Sequence, residues 1–125
     1  MSIKSYKDLV VWQKSIRLVK DVYHLTKTFP GDERFGLVSQ RRRAALSVPS
    51  NLPEGHARHT PGEFIQFISH AEGSLAELET QTIVAVELGF CPAESASTLN
   101  KSIHEIQKMA SALRRSRCSP LAPSP

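Results

Sequence analysis

Three consecutive arginines, Arg41 to Arg43, are the residues of this chain whose type and spacing most favour a chemical role, which is phosphate binding. A guanidinium stays ionised at physiological pH and presents donors that match phosphate oxygens. Other basic side chains extend the predicted nucleic-acid-binding set to Lys14, Arg17, Lys20, Arg41, Arg42, Arg43 and Arg58. We expect these charges to position the phosphates of RNA or DNA without reading the bases.

A structural role for the same arginines stays open. Consecutive residues of a helix point in different directions, so at least one of the three faces the protein interior or an adjoining subunit. Such an arginine needs a carboxylate partner, and the candidates are Glu54, Glu77 and Glu79. The chain would then be a scaffold or protein-interaction module that does not bind nucleic acid itself.

Metal binding and catalysis have little support. His56 and His59 stand close to Glu54 and Glu63, but no cysteine completes a ligand set, and no glutamate has a histidine three residues later, as di-iron bundles require. No phosphate-cradling glycine loop or Gly-x-Ser-x-Gly elbow occurs. We therefore expect a non-enzymatic protein with no metal and no cofactor.

Composition indicates a soluble, intracellular protein. The chain has 125 residues, 40% of them hydrophobic, which suits one modest domain. Its net charge of +4 favours anionic partners. Two cysteines make no disulfide framework, and no apolar stretch approaches the length of a membrane span. We expect a cytoplasmic location and no membrane partner.

The charge is unevenly distributed along the chain. Residues 61–91 hold five glutamates and no lysine or arginine, whereas the segments on either side are net basic. The glutamates either pair with arginines of neighbouring helices or subunits, or leave a basic surface elsewhere, and both readings are compatible. An acidic helix turned toward a partner subunit would leave the basic faces outward.

Apolar spacing predicts four helices. The first runs from about Ser5 to Thr28, the second from Gly31 or Asp32 to about Gly55, the third from Thr60 to Leu88, and the fourth from Pro92 to about Leu113. The predicted inward residues of the first helix are Leu9, Trp12, Ile16, Val19, Val22 and Tyr23, and those of the third are Phe64, Ile68, Ala71, Leu75, Leu78, Thr82 and Ala85. The apolar residues that mark the inward side of the second helix are Phe35, Val38, Ala45, Val48 and Leu52. Only 6% of the residues are aromatic, and Trp12 and Tyr23 lie on an apolar stripe that is predicted to face the core. We therefore expect few aromatic side chains to be available for stacking on bases.

These helices predict an all-α fold, an antiparallel up-down-up-down four-helix bundle, because short connections make successive helices antiparallel neighbours. Residues 1–117 form the predicted single domain, and the proline-rich tail 118–125 is expected to be disordered. The second helix is expected to bend at Pro49, because an interior proline removes a helical hydrogen bond.

The chain resembles a known family, the small bacterial four-helix bundle proteins encoded in intervening sequences of 23S ribosomal RNA genes. Ordered blocks carry the resemblance: Asp8-Leu9, Val11-Trp12-Gln13, Phe29-Pro30, Phe35-Gly36-Leu37, Arg42-Arg43-Ala44, Ser47-Val48-Pro49-Ser50-Asn51, Glu54-Gly55, Gly73-Ser74-Leu75, Glu77-Leu78-Glu79 and Leu88-Gly89-Phe90. The resemblance implies a bundle that assembles as a homopentamer. It also implies kinship with the accessory variability protein of diversity-generating retroelements, which binds nucleic acid and a reverse transcriptase. A reverse transcriptase is thus a partner by analogy only, and the resemblance implies no biochemical activity.

Two positions depart from the pattern of the family. Arg41 stands where the family usually has an aliphatic residue, so we expect it to be exposed and to add basic surface. Pro53 stands where the family has alanine, so we expect the second helix to end near Leu52.

Overall fold

The computed structural model describes residues 6–57 and 60–118, and these residues form four α-helices. The helices are α1 (Val10–Thr26), α2 (Leu37–Ala57), α3 (Pro61–Glu87) and α4 (Ala93–Cys118). Single turns of 3-10 helix precede α1 (Tyr6–Asp8) and α2 (Gly31–Glu33). The described residues contain no β-strand, and the predicted all-α four-helix bundle is confirmed. Most of the predicted disordered tail, 119–125, lies outside the described residues.

Each helix packs against the next along the chain, and α4 returns to pack against α1. Between α2 and α3, Ser47 bonds Ser74 at 2.7 Å whereas Arg41 reaches the carbonyl of Leu78, so residue numbers rise on one helix as they fall on the other. These contacts are consistent with the up-down-up-down order. The bend at Pro49 stays a prediction.

The α3 helix follows its sequence pattern closely. All seven predicted inward residues, from Phe64 to Ala85, are buried. The hydroxyl of Thr60 accepts a hydrogen bond from the amide of Glu63 at 3.2 Å and so caps the first turn. At the other end Gly89 has φ of +76°. The amide of Phe90 donates to the carbonyl of Ala85, and the amide of Gly89 donates to the carbonyl of Val86. These two hydrogen bonds form the Schellman arrangement of a helix C-terminus.

The inward stripe of α1 is rotated from the predicted one. Val11, Ser15, Leu18 and Val22 are buried, whereas the predicted core residue Ile16 is 38% exposed. The polar residue Ser15 interrupts the apolar pattern of the buried stripe, so the sequence does not reveal that stripe. Ser15 can be buried because its hydroxyl donates a hydrogen bond to the carbonyl of Val11 at 2.7 Å. Trp12 and Val19 pack against the core from its edge.

The expected end of α2 near Leu52 is wrong, because the helix continues to Ala57. Ala45, Val48 and Leu52 are buried in the main core. Their burial compensates for the backbone hydrogen bonds that Pro49 and Pro53 cannot make. The start of α2 also differs from the prediction. A carboxylate oxygen of Glu33 accepts from the amide of Leu37 at 3.3 Å, so the α-helix begins there.

Candidate nucleic-acid interface

The three arginines of α2 have three different environments. Arg41 is buried, Arg42 is half-buried and Arg43 is exposed. Successive helical residues are rotated by about 100°, so the run reaches from the core to the solvent. The cluster is therefore not a single phosphate-binding unit.

The expectation that Arg41 is exposed is wrong, since its side chain is 0% exposed. Arg41 lies on the same stripe of α2 as Val38, Ala45 and Val48, at steps of three and four, and this stripe faces the core. Buried in this way, Arg41 is not part of any surface of the described chain that phosphate could reach. The spacing of the apolar residues predicts that position 41 faces the core, although an arginine is usually found at exposed positions.

Arg41 forms no ion pair with a carboxylate among the described residues, which include Glu77 and Glu79 but not the side chain of Glu54. One guanidinium nitrogen donates to the carbonyl of Leu78 at 3.4 Å, while Nε and Nη2 have no hydrogen-bond partner among the described residues. The ring of Phe29 lies 5.9 Å from the guanidinium carbon. Burial lowers the pKa of Arg41 to about 10, and the nearby Cys91 thiol opposes this shift. Burial likewise raises the pKa of the Cys91 thiol, against the influence of Arg41.

Arg42 joins α2 to α1. Its Nε donates to the hydroxyl of Thr26 at 3.0 Å, and Nη2 donates to the carbonyl of Tyr23 at 3.4 Å. The guanidinium carbon lies 4.4 Å from the centroid of the Tyr23 ring, which is a cation–π contact. These three contacts fix the side chain, so Arg42 has a structural role whatever else it does.

Arg43 lines an open groove of about 450 Å³ between α1 and α2. We call it the α1–α2 groove, and its lining residues are Tyr23, Arg34, Phe35, Val38, Ser39, Arg42, Arg43 and Leu46. Three of these are arginines, and none is a carboxylate. Arg43 itself forms no ion pair with any described residue. The groove is therefore a local concentration of positive charge.

The predicted basic residues of α1 fall on two sides of that helix. Lys20 is exposed and lies about one helical turn before Tyr23, which lines the groove. Lys14 instead pairs with Glu105 of α4, and Arg17 lines a depression with Asp21 and Glu105. Carboxylates of α1 and α4 thus offset Lys14 and Arg17. Arg58 lies outside the described residues.

Sequence reasoning missed two residues of the groove, Arg34 and Phe35. Phe35 was expected to be an inward residue of the second helix, but it lies in the turn before α2 and is 88% exposed. The guanidinium carbon of Arg34 lies 5.3 Å from the centroid of its ring. The sequence contains one signal for a turn at this point, because Gly36 follows Arg34 and Phe35 and interrupts the apolar periodicity.

The acidic helix α3 is partly neutralised from within the chain. Glu72 accepts from Arg114 at 2.7 Å and from the hydroxyl of Ser111 at 2.7 Å. Glu79 pairs with His104 of α4. Glu77 accepts from Gln81 of the same helix at 3.1 Å. The prediction that these glutamates pair with cations of a neighbouring helix is correct for Glu72, and Glu79 meets a histidine rather than an arginine.

Comparison with known proteins places the chain in a family. The family model described as 23S rRNA-intervening sequence protein matches residues 7–112. The chain belongs to the 23S rRNA-intervening sequence protein family. The match spans all of α1, α2 and α3 and most of α4, so the whole bundle is the family domain.

A solved structure supports the same fold for this 23S rRNA-intervening sequence protein. It is the crystal structure of a Bacteroides thetaiotaomicron protein of unknown function from the S23 ribosomal protein family. The two share 20% sequence identity and superpose with a TM-score of 0.78, over 85% of this chain and 96% of the other. No curated protein matches this sequence significantly.

Metal-ligand clusters and membrane-spanning helices are both absent from the described parts of the chain. Their histidine, cysteine, aspartate and glutamate side chains form no group of three that could hold a metal ion. None of the described helices is long and apolar enough to cross a membrane. The side chains of Glu54 and His56, and the whole of His59, lie outside what the structure describes.

Proposed function

We propose that this 23S rRNA-intervening sequence protein is a non-enzymatic, self-associating bundle that binds nucleic acid through the α1–α2 groove. The observation that carries the proposal is the composition of the groove: three arginines and no carboxylate among its eight lining residues. The exposed Lys20 of α1 lies three residues before Tyr23, and the exposed Lys27, which follows the last residue of α1, lies four residues after it, so both add positive charge near the groove. Contacts of this kind attract phosphates of any sequence.

Binding by charge has a quantitative signature. Each cation that neutralises a phosphate releases a counterion, so affinity falls as salt rises. With Lys20, Arg34 and Arg43 as three contacts, affinity should fall about 20- to 40-fold between about 50 and about 200 mM salt. Wild-type protein that shows no salt dependence over this range would contradict the proposal.

The test is a fluorescence-anisotropy titration of wild type, Arg43→Ala and Lys101→Ala against a labelled oligonucleotide at several salt concentrations. Arg43→Ala should weaken binding to all sequences alike and reduce the magnitude of the salt slope by about one. Lys101 is exposed on α4 and lines the α3–α4 side, which is opposite the groove in the cyclic order of helices. Lys101→Ala removes the same charge and should leave affinity and slope unchanged.

The scaffold function is the second candidate, and the contacts of Arg42 favour it. Arg42 is held by Thr26 and Tyr23, so part of the arginine run serves to join helices. If the protein is only a scaffold, wild type will show no affinity for RNA or DNA at physiological salt. Equal loss of affinity in Arg43→Ala and Lys101→Ala would also count against the groove.

A further inference from the structure

Phe35 is unusual because no described residue covers it. Its side chain is 88% exposed, more than any other large hydrophobic residue of the described chain. Burying a phenylalanine stabilises a fold, and Phe35 does not provide this stabilisation. The nearby aromatic residues behave differently, since Phe29 packs against Phe90 with ring centroids 5.6 Å apart.

The surroundings of Phe35 include cations as well as apolar side chains. Arg34 lies 5.3 Å from its ring centroid, and Arg43 lines the same groove. A wholly apolar partner would have to leave the guanidinium groups of Arg34 and Arg43 desolvated without a counter-charge, which is costly. A partner with both a flat apolar face and a negative charge satisfies the aromatic ring and the arginines together.

An unpaired nucleotide has these two features, a base with a π-face and a phosphate. We infer that Phe35 is a stacking platform for one unpaired base, and that the α1–α2 groove therefore takes single-stranded RNA or DNA. The inference rests on the proposed nucleic-acid binding and adds the strandedness of the ligand. A paired base in a duplex is already stacked, so Phe35 gains nothing from it.

Overall aromatic content is a poor guide to this kind of site. Only 6% of the residues are aromatic, but stacking one base needs only one exposed ring beside phosphate-binding cations. The ring of Tyr23 is not available for stacking on a base, because the guanidinium carbon of Arg42 lies 4.4 Å from its centroid. Arg34 can remain against one part of the Phe35 ring, as cation–π contacts accompany stacking in single-strand binding proteins.

The test compares Phe35→Leu with Phe35→Tyr on single-stranded RNA, single-stranded DNA and a duplex of the same sequence, by anisotropy at fixed salt. Phe35→Leu keeps apolar bulk but has no π-face, so it should weaken single-strand binding about 5- to 100-fold and leave duplex binding unchanged. Phe35→Tyr should retain single-strand binding. Comparing the RNA and DNA arms shows whether the sugar contributes to affinity.

A Phe35→Trp variant gives a direct signal of stacking. The protein has one native tryptophan, Trp12, which is half-buried, so a second indole at position 35 can be followed against a constant background. Its fluorescence should be quenched by single-stranded oligonucleotide and not by duplex. The oligomeric mass of each variant is measured by light scattering on the same samples.

The outcomes separate this inference from the proposed function. If Phe35→Leu binds like wild type while Arg43→Ala binds more weakly, stacking is overturned and electrostatic binding stands. If Phe35→Leu lowers the oligomeric mass without changing the preference for single strands, Phe35 is a subunit contact and the inference is wrong. If wild type binds no oligonucleotide at all, the proposed function and the inference fail together.

Discussion

A guanidinium enclosed by protein loses its hydration, and only a full set of hydrogen bonds or a carboxylate restores the lost free energy. Arg41 has neither, because two of its three nitrogens lack partners in the described chain. Arg42, the next residue, has two hydrogen bonds and a cation–π contact. Two neighbouring residues of the same type thus have opposite effects on the free energy of unfolding.

Arg41→Met should therefore stabilise the protein by about 1–3 kcal/mol, because it removes an unpaired buried charge and fills the same space with an apolar chain. Arg42→Met is the matched control and should destabilise by about 1–2 kcal/mol, because it removes hydrogen bonds of a charged group. Urea unfolding at one fixed protein concentration measures both. A loss of stability in both variants would mean that Arg41 is paired.

The effect of Arg41 also has a pH signature. Burial lowers its pKa to about 10 in the folded state, whereas the hydrated guanidinium of the unfolded chain binds the proton more tightly. The penalty is fully present below pH 10 and disappears as pH rises from there toward the higher pKa of the unfolded chain. The stability advantage of Arg41→Met should accordingly be constant from pH 7 to 9 and shrink above pH 10.

Residue type alone misassigned Arg41 and Phe35 in opposite directions. The sequence analysis predicted that Arg41 is exposed and that Phe35 is buried, whereas Arg41 is 0% and Phe35 is 88% exposed. Periodicity held the correct answer for Arg41, since it completes the stripe of Val38, Ala45 and Val48. Arg43 belongs to the predicted nucleic-acid-binding set and is exposed, but the groove that it shares with Arg34 depends on how α1 packs against α2, and the sequence alone does not specify this packing.

At the scale of elements, α3 was predicted best because it has strong signals at both ends. A Thr-Pro-Gly-Glu start and a Leu-Gly-Phe stop enclose a regular seam of apolar residues. The α2 helix was predicted less well, because two prolines argue for a break that burial of Val48 and Leu52 prevents. Local signals determine helix ends, whereas tertiary packing decides whether a weak helix continues.

Two glycines, Gly89 at the end of α3 and Gly73 inside it, test the claim that local signals determine where a helix ends. Gly89 has φ of +76° and open space around its Cβ position, so Gly89→Ala should cost about 1–2 kcal/mol from backbone strain alone. Gly73 lies within α3 with equally open space, so Gly73→Ala should gain about 0.5–1 kcal/mol. Thermal and urea unfolding would both register the difference. An unchanged or increased stability of Gly89→Ala would show that Gly89 is not required as a helix stop.

At the scale of the whole molecule, a second exposed apolar surface lies outside the residues that line the α1–α2 groove. Val84 of α3 is 39% exposed, and Leu88, which follows the last residue of α3, is 58% exposed four residues later. Glu72 pairs with Arg114 of α4 within the chain, which lowers the charge that α3 would bring to a contact, and Glu79 contacts His104 of the same helix. Self-association through Val84 and Leu88 would leave the groove free for nucleic acid.

Leu88→Ser tests this arrangement. Wild type should have a mass in solution that is a multiple of 13.9 kDa, and Leu88→Ser should shift that mass toward a single chain, because it removes apolar area from the proposed contact. Leu46 is the matched control, since it is 44% exposed but lines the α1–α2 groove, and Leu46→Ser should leave the mass unchanged. Light scattering after size-exclusion chromatography measures all three proteins. A wild type of 13.9 kDa would refute self-association, and dissociation by Leu46→Ser alone would place the subunit contact at the groove, in competition with nucleic acid.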